Sequence, residues 1–173
     1  APLGQGSFGF VVHCRKKSNQ KHYAMKIQYK EDLYKQCESN PDRMDFEKQA
    51  FASCDHPFIV ELSYAFETKT LAILVMTVGT YENLSKALRT AHNNIFAIEQ
   101  IVFYSAEITS ALVYLHSKGL IYRDLKPSNI LLNADGHIQL IDFGSVTDVN
   151  GRTLGICNEV DATSPLFAKM KKD

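Results

Sequence analysis

Most of what would send this chain to a membrane, an export route or a thiolate metal fold is missing from it. No apolar run approaches the roughly 18 residues that a membrane helix needs, and nothing at the start resembles a signal peptide. Neither sign of charge is in excess. The 19 Lys and Arg are matched by 19 Asp and Glu, so no long-range field steers the chain toward nucleic acid or an anionic membrane, and no block of like charge forms a tail. Cys14, Cys37, Cys54 and Cys157 stand far apart, with no CxxC pair and no histidine at zinc spacing, which removes a thiolate metal site and a disulfide framework. Repeats, low-complexity stretches and linker-like composition are absent too. The expectation is a soluble, cytoplasmic protein with reduced thiols, whose 173 residues suffice for the core of one domain. Nothing in the composition speaks to oligomeric state.

What is present divides into two regions. In the first, residues 1–78, Phe10 to Cys14 and His22 to Gln28 are β-rich runs joined by the polar turn Lys16 to Gln20, which predicts an antiparallel hairpin behind a glycine loop. Asn40, Pro41 and Asp42 are helix-start residues, and the apolar spacing through Met44, Ala50 and Phe51 predicts one helix, broken at His56-Pro57. Phe58 to Phe66 and Thr70 to Val78 are two further strands. The second region, residues 79–173, turns helical: a short helix over Ser85 to Ala91, then a long one over Ile98 to Ser117. Ile101, Tyr104, Ile108, Ala111, Leu112 and Leu115 form a single stripe on the long helix, which closes at Gly119. Asn133-Ala134-Asp135-Gly136 is a turn between the short strands Ile130 to Leu132 and His137 to Ile141. The fold class expected is α+β, a small antiparallel β lobe with one helix plus an incomplete helical lobe. The chain opens on Ala1, and its first turn motif begins at Gly4 with no room for a strand to feed it, so a fragment is expected at this end.

Three constellations carry chemistry. Gly4-Gln5-Gly6-Ser7-Phe8-Gly9-Phe10-Val11 is a loop whose glycines let the backbone fold over a polyphosphate and point amides at it. The same spacing opens a dinucleotide-binding unit, but there a helix must follow, whereas Phe10 to Cys14 continues as a strand. Next comes Tyr23-Ala24-Met25-Lys26, which puts a lysine in a half-buried strand beneath that loop. Glu47 in the predicted helix is the acid that would fix Lys26 against the α- and β-phosphates. Third is Tyr122-Arg123-Asp124-Leu125-Lys126-Pro127-Ser128-Asn129, followed by Asp142-Phe143-Gly144. Asp124 would orient a substrate hydroxyl and accept its proton, and Lys126 would neutralise charge on the transferring phosphoryl group. Asn129 and Asp142 offer the hard oxygen ligands that Mg²⁺ requires.

Together these blocks resemble the eukaryotic protein-kinase domain over essentially the whole chain to Gly144. YRDLKP, YAMK, HPFIVELSYAF and GHIQLIDFG are similar to the AGC group of serine/threonine kinases, nearest the G-protein-coupled-receptor kinase and ribosomal S6 kinase-like branches. The resemblance implies a two-lobe fold, ATP and Mg²⁺ as cofactors, and a protein substrate with a Ser or Thr acceptor. It implies that Val11 and Ala24 from above and Leu131 from below sandwich adenine, that Met76 guards the back of the pocket, and that Thr77 and Val78 line the hinge. It also implies an apolar stack of Leu62, Phe51, Tyr122 and Phe143 joining the lobes.

The chain departs from the family at three places. After the hinge it reads Tyr81-Glu82-Asn83-Leu84 where an acid usually meets the ribose, leaving Asn83 or Glu82 for that contact. Ser128 stands where members preferring arginine-containing substrates often carry Glu. Beyond Gly144 the substrate-seating stretch Gly-Thr-x-x-Tyr-x-Ala-Pro-Glu is not recognisable. A gapless reading puts Ser164-Pro165-Leu166 at Ala-Pro-Glu and Gly155 at a regulatory phosphothreonine. The alternative, which Cys157 to Ala162 favours, makes Val146 to Asp173 an inserted activation segment cut before that motif. Two functions follow: part of an active kinase, or a catalytically silent, pseudokinase-like nucleotide-binding or scaffold protein.

Overall fold

The computed structural model describes residues 2–6, 9–36, 43–77 and 82–149. The first lobe is a five-stranded antiparallel sheet built from β1 (Pro2–Gly6), β2 (Gly9–Arg15), β3 (His22–Tyr29), β4 (Leu62–Glu67) and β5 (Leu71–Thr77), in the order β1-β2-β3-β5-β4. A strand therefore does feed the glycine turn: Gly4, Gln5 and Gly6 lie within β1, and Gly6 pairs with Gly9. That corrects the expectation of a chain starting too late for one, because five residues with few side chains give no alternation to read.

Two helices interrupt the sheet between β3 and β4, α1 (Lys30–Gln36) and α2 (Arg43–Ala52), where one was expected. The additional helix α1 is short and polar. It is laced by Lys35 Nζ to Glu31 Oε1 at 2.8 Å, an i,i+4 pair, rather than by an apolar stripe. The strand expected from Phe58 begins only at Leu62, although Ile59 makes an isolated parallel bridge to Leu140 and so ties the first lobe to the second.

The second lobe contains a two-residue strand β6 (Glu82–Asn83), then α3 (Leu84–Thr90), a 3-10 turn (His92–Asn94) and α4 (Ile98–Ser117). It continues with β7 (Leu120–Ile121), a second 3-10 turn (Pro127–Asn129), β8 (Ile130–Leu132), β9 (Ile138–Leu140) and β10 (Thr147–Asp148). The hairpin β8-β9 forms a three-stranded sheet with β6, and β10 pairs with β7. The long helix has the bounds its stripe predicts. Ala111 and Leu115 are fully buried and Tyr104, Ile108 and Leu112 pack against the core, but Ile101 is 44% exposed and does not join them. In its stead Glu107 faces inward, where its carboxylate accepts Ile138 N–H at 2.9 Å and pairs with His137 Nδ1.

Strand alternation sorts the first lobe's sheet into two faces. Tyr23, Ile73 and Val75 make a small cluster on the outer face. Ala24, Leu74 and Met76 on the inner face join Phe51, Leu62, Leu115, Tyr122, Ile138, Leu140 and Phe143 in one core that runs through both lobes. Each large side chain fully buried there stabilises the fold by about 1.5 to 3 kcal/mol. No helix among the described residues is long and apolar enough to cross a membrane.

Candidate active site

The inner face of β3 carries Lys26 two residues beyond Ala24, opposite Val11 of β2 and Leu74 of β5. Its ammonium lies 2.6 Å from Glu47 Oε1 of α2 and 2.9 Å from Asp142 Oδ1, so one lysine joins the sheet, the helix and the segment after β9. Gln28, buried on the same face, donates to the other oxygen of Glu47 at 3.4 Å. Burial by itself would lower the lysine's pKa, but the Glu47 carboxylate and then Asp142 outweigh it and hold Lys26 above its ordinary value. Burial would likewise raise Asp142, yet the Lys26 charge prevails and keeps the carboxyl below the usual range. Lys26 and Asp142 are thus both ionised at neutral pH.

Gly9, where β2 begins, permits the approach of the glycine turn to β3. A Cβ there would sit 1.9 Å from the Ile27 carbonyl oxygen, so no other residue fits without moving backbone. Ser7 and Phe8 of the loop and Val78 of the hinge lie outside the described residues, as do Gly155 and Ser164-Pro165-Leu166.

The loop between β7 and β8 holds the third constellation. Asn129 is buried, and its Nδ2 donates to Asp124 Oδ2 at 2.8 Å and to Asp124 O at 3.0 Å, fixing the carboxylate's direction. Lys126 Nζ donates to both Asp124 oxygens, at 3.1 and 2.8 Å, but this pair is open to water, the lysine side chain being 50% exposed. The hydrogen bond it donates to Asp124, ahead of the negative charges of Asp124 and Asp142, holds Lys126 above its ordinary pKa.

Three contacts lock this loop to the segment bearing Asp142. Ile141 N–H donates to Asn129 O at 3.0 Å, the Tyr122 hydroxyl donates to Ile141 O, and Arg123 Nε donates to Ser145 O at 2.6 Å. Burial, ahead of Asp142 and Asp124, pushes the Tyr122 phenol up, so it is a neutral donor at all working pH values. Arg123 and Asp142 both hold left-handed backbone, with φ of 63° and 60°. Sequence reasoning gave Arg123 no job and saw Tyr122 only as an apolar neighbour; a polar tip on a buried ring is the signal that points to the second role.

The apolar residues assigned from the family resemblance fall into two groups. Ala24 and Met76 are cross-strand partners, buried together, with Val11 and Leu62 packed on the same core. Thr77 ends β5 and is half-buried. Leu131 lies across the junction on β8, paired with Asn83. Phe51 and Phe143 stack with ring centroids 4.1 Å apart, and Tyr122 meets Phe143 edge-on at 5.7 Å, so the expected stack of four is contiguous with Leu62 in the core.

For Asn83 the structure adds a different employment: its Oδ1 caps α3 by accepting Lys86 N–H at 2.9 Å. An Asn three residues before the end of a helix's first turn is a cap signal, and the expectation passed over it.

Among the described residues no group of three or more His, Cys, Asp or Glu is arranged to hold a metal ion. Mg²⁺ is usually bound by one or two protein oxygens plus phosphate oxygens, and the donor set here fits that demand: Asp142 keeps a second carboxylate oxygen, and Asn129, whose Nδ2 is used, keeps Oδ1.

The family model described as "Protein kinase domain" matches residues 1–168. The chain is 37% identical over 171 residues to serine/threonine-protein kinase AtPK2/AtPK19 of Arabidopsis thaliana, an alignment covering 98% of the chain and 36% of that relative. It is 44% identical over 142 residues to the RAC serine/threonine-protein kinase of Drosophila melanogaster, covering 82% of the chain and 23% of the relative. Against putative ribosomal protein S6 kinase alpha-1 of Caenorhabditis elegans it is 39% identical over 173 residues, covering 94% and 21%. The chain thus spans about a third or less of the length of these curated relatives.

Proposed function

The chain belongs to the protein kinase domain family, with AGC-type serine/threonine kinases as its relatives, and on that premise we propose that it supplies the nucleotide-binding and phosphoryl-transfer groups of such a kinase. Residues 1–78 serve as the nucleotide lobe and residues 79–173 as part of the lobe that receives a protein substrate.

In this reading ATP lies beneath the glycine turn of Gly4, Gln5, Gly6, Ser7, Phe8 and Gly9, with adenine between Val11 and Ala24 above and Leu131 below. Met76 closes the back, Thr77 and Val78 line the edge, and Asn83 Nδ2 meets the ribose. Lys26, held by Glu47, contacts the α- and β-phosphates. Mg²⁺, held by Asp142 and Asn129, neutralises charge on the β- and γ-phosphates when bound. Asp124 orients a serine or threonine hydroxyl and takes its proton. The new oxygen–phosphorus bond forms as the bond from the γ-phosphorus to the bridging oxygen breaks, ADP leaves, and Lys126 balances charge on the moving phosphoryl group.

One observation carries the reading: Lys26 sits between Glu47 and Asp142 while Asp124 is aimed by Asn129, and a backbone hydrogen bond joins the two halves. The protein is taken to act inside the cell. Because Ser128 stands where members preferring arginine-containing substrates often carry Glu, that preference is not carried over to this chain.

The test is peptide phosphorylation by the full-length protein carrying this chain, with Asp142→Asn beside it. Labelling that disappears in the variant supports the proposal. ATP binding with no transfer by the wild type overturns it in favour of a silent nucleotide-binding scaffold.

A further inference from the structure

Outside the candidate active site, two histidines meet on the hairpin β2-β3. His13 lies opposite Ala24 and His22 opposite Arg15, so the two imidazoles are diagonal neighbours on one face of the sheet. It is the inner face that also bears Val11, Ala24 and Lys26. His13 Nε2 and His22 Nδ1 are 2.6 Å apart, the ring planes agree within 4°, and the centroids are 4.8 Å apart. These three values together make the rings meet edge to edge in nearly one plane, with the two ring nitrogens facing each other across a hydrogen bond.

We propose that His13 and His22 form a two-imidazole site for a first-row divalent cation of borderline softness, Cu²⁺ or Zn²⁺, completed by water. A zinc–nitrogen bond of about 2.0 to 2.1 Å at a right-angled to tetrahedral vertex puts the two nitrogens about 2.9 to 3.4 Å apart. To reach that vertex the pair must open from its present 2.6 Å and one ring must tilt away from the head-on line. Exposed His22 can do so by turning about its side-chain bonds once the hydrogen bond is broken. Among the described residues no carboxylate joins the pair in a larger metal-binding group. Neutral nitrogen donors without oxygen anions select copper and zinc over magnesium and calcium. Binding breaks the imidazole–imidazole hydrogen bond, and the ring that donated it carries its proton on the other nitrogen, so a neutral pair releases none. A bound ion clips β2 to β3 beside the residues assigned to adenine. The proposal does not rest on the phosphoryl-transfer reading.

The test is calorimetric titration of the full-length protein with Zn²⁺, Cu²⁺ and, for contrast, Mg²⁺ in chelator-treated buffer, together with imidazole nitrogen NMR spectra. His13→Ala, His22→Ala and the exposed control His92→Ala are compared with the wild type. The expected result is one equivalent of Zn²⁺, with Cu²⁺ tighter, weakened at least about tenfold in each of the first two variants and unchanged in the control. Equal stoichiometry and affinity in the wild type and both His13→Ala and His22→Ala overturns the site. So does a pair whose nitrogen signals respond to protons and ignore both metals. Because His22 is exposed, its variant keeps the test decisive if His13→Ala fails to fold.

Discussion

Two lysine–carboxylate arrangements stand on either side of the interlobe cleft, and their difference separates holding from handling. Lys26 is enclosed, 19% exposed at its side chain, and satisfied by carboxylates from two elements. Lys126 is half in water and bound to a carboxylate two residues away in its own loop. The first lysine has little freedom and joins distant parts of the fold; the second is free to leave Asp124 for a phosphoryl group at small cost. Exposed pairs contribute about 0 to 1 kcal/mol, whereas a pair removed from water strongly penalises loss of one partner.

The sharpest way to break the comparison is to remove each lysine in turn in the full-length protein. Lys26→Met is expected to lower the phosphorylation rate by about 10²- to 10³-fold. It also costs about 2 to 3 kcal/mol of stability, less than for full burial because Asp142 stays open to water. Steady-state kinetics and urea unfolding read the two effects separately. Lys126→Ala is expected to lower kcat about 10- to 100-fold with no change in the unfolding midpoint. If the melt falls as far as for Lys26→Met, the contrast between the two lysines is wrong.

A smaller effect tests the link between the halves. Tyr122→Phe keeps the ring in the stack and removes the hydroxyl that donates to Ile141 O. A loss of about 1 kcal/mol is expected by chemical denaturation, with kcat reduced several-fold and KM for ATP unmoved.

The smallest expected effect is on pH dependence. Asp142 has its folded pKa depressed below an unfolded value of about 3.9, so its contribution is present above that pH and lost as pH falls through the lower folded value. Lys26 has its folded pKa raised above about 10.4, so its contribution is complete below that pH and lost as pH rises through the folded value. Unfolding curves of Asp142→Asn should flatten the acid limb below about pH 4, and those of Lys26→Met the alkaline limb above about pH 10.5. Lys126→Ala removes only the smallest of the influences that depress Asp142 and should shift the acid limb far less than Asp142→Asn does.

What could be read without coordinates follows the same division between long-range pattern and local compensation. α4 was legible because twenty residues repeat an apolar stripe. The hairpin β2-β3 was legible because its polar turn separates two alternating runs. α1 escaped because its support is an ion pair on the surface, and β6, β7 and β10 escaped because two residues carry no period. Glu107 illustrates a harder case: an acid in an apolar stripe reads as an interruption until the turn bearing His137 and Ile138 supplies its partners. In the candidate site, residue types and order announced Lys26, Glu47, Asp124, Asn129 and Asp142. The carbonyls of Asn129, Ile141 and Ser145 that accept the ties holding them in register have no sequence signature, since main-chain groups are the same everywhere. Only the side-chain donors Tyr122 and Arg123 could have been read.

The left-handed backbone at Asp142 also sets what a genetic experiment there can teach. Asparagine tolerates φ of 60° about as readily as aspartate, so Asp142→Asn changes a charge at constant shape. Alanine would add about 1 to 2 kcal/mol of conformational penalty to the same lost charge, and an inactive Asp142→Ala allele would therefore confound chemistry with folding. At Arg123, equally left-handed, glycine relieves the backbone while discarding the guanidinium that grips Ser145. A saturation scan should accordingly rank substitutions at these two positions by backbone tolerance first and by side-chain similarity second.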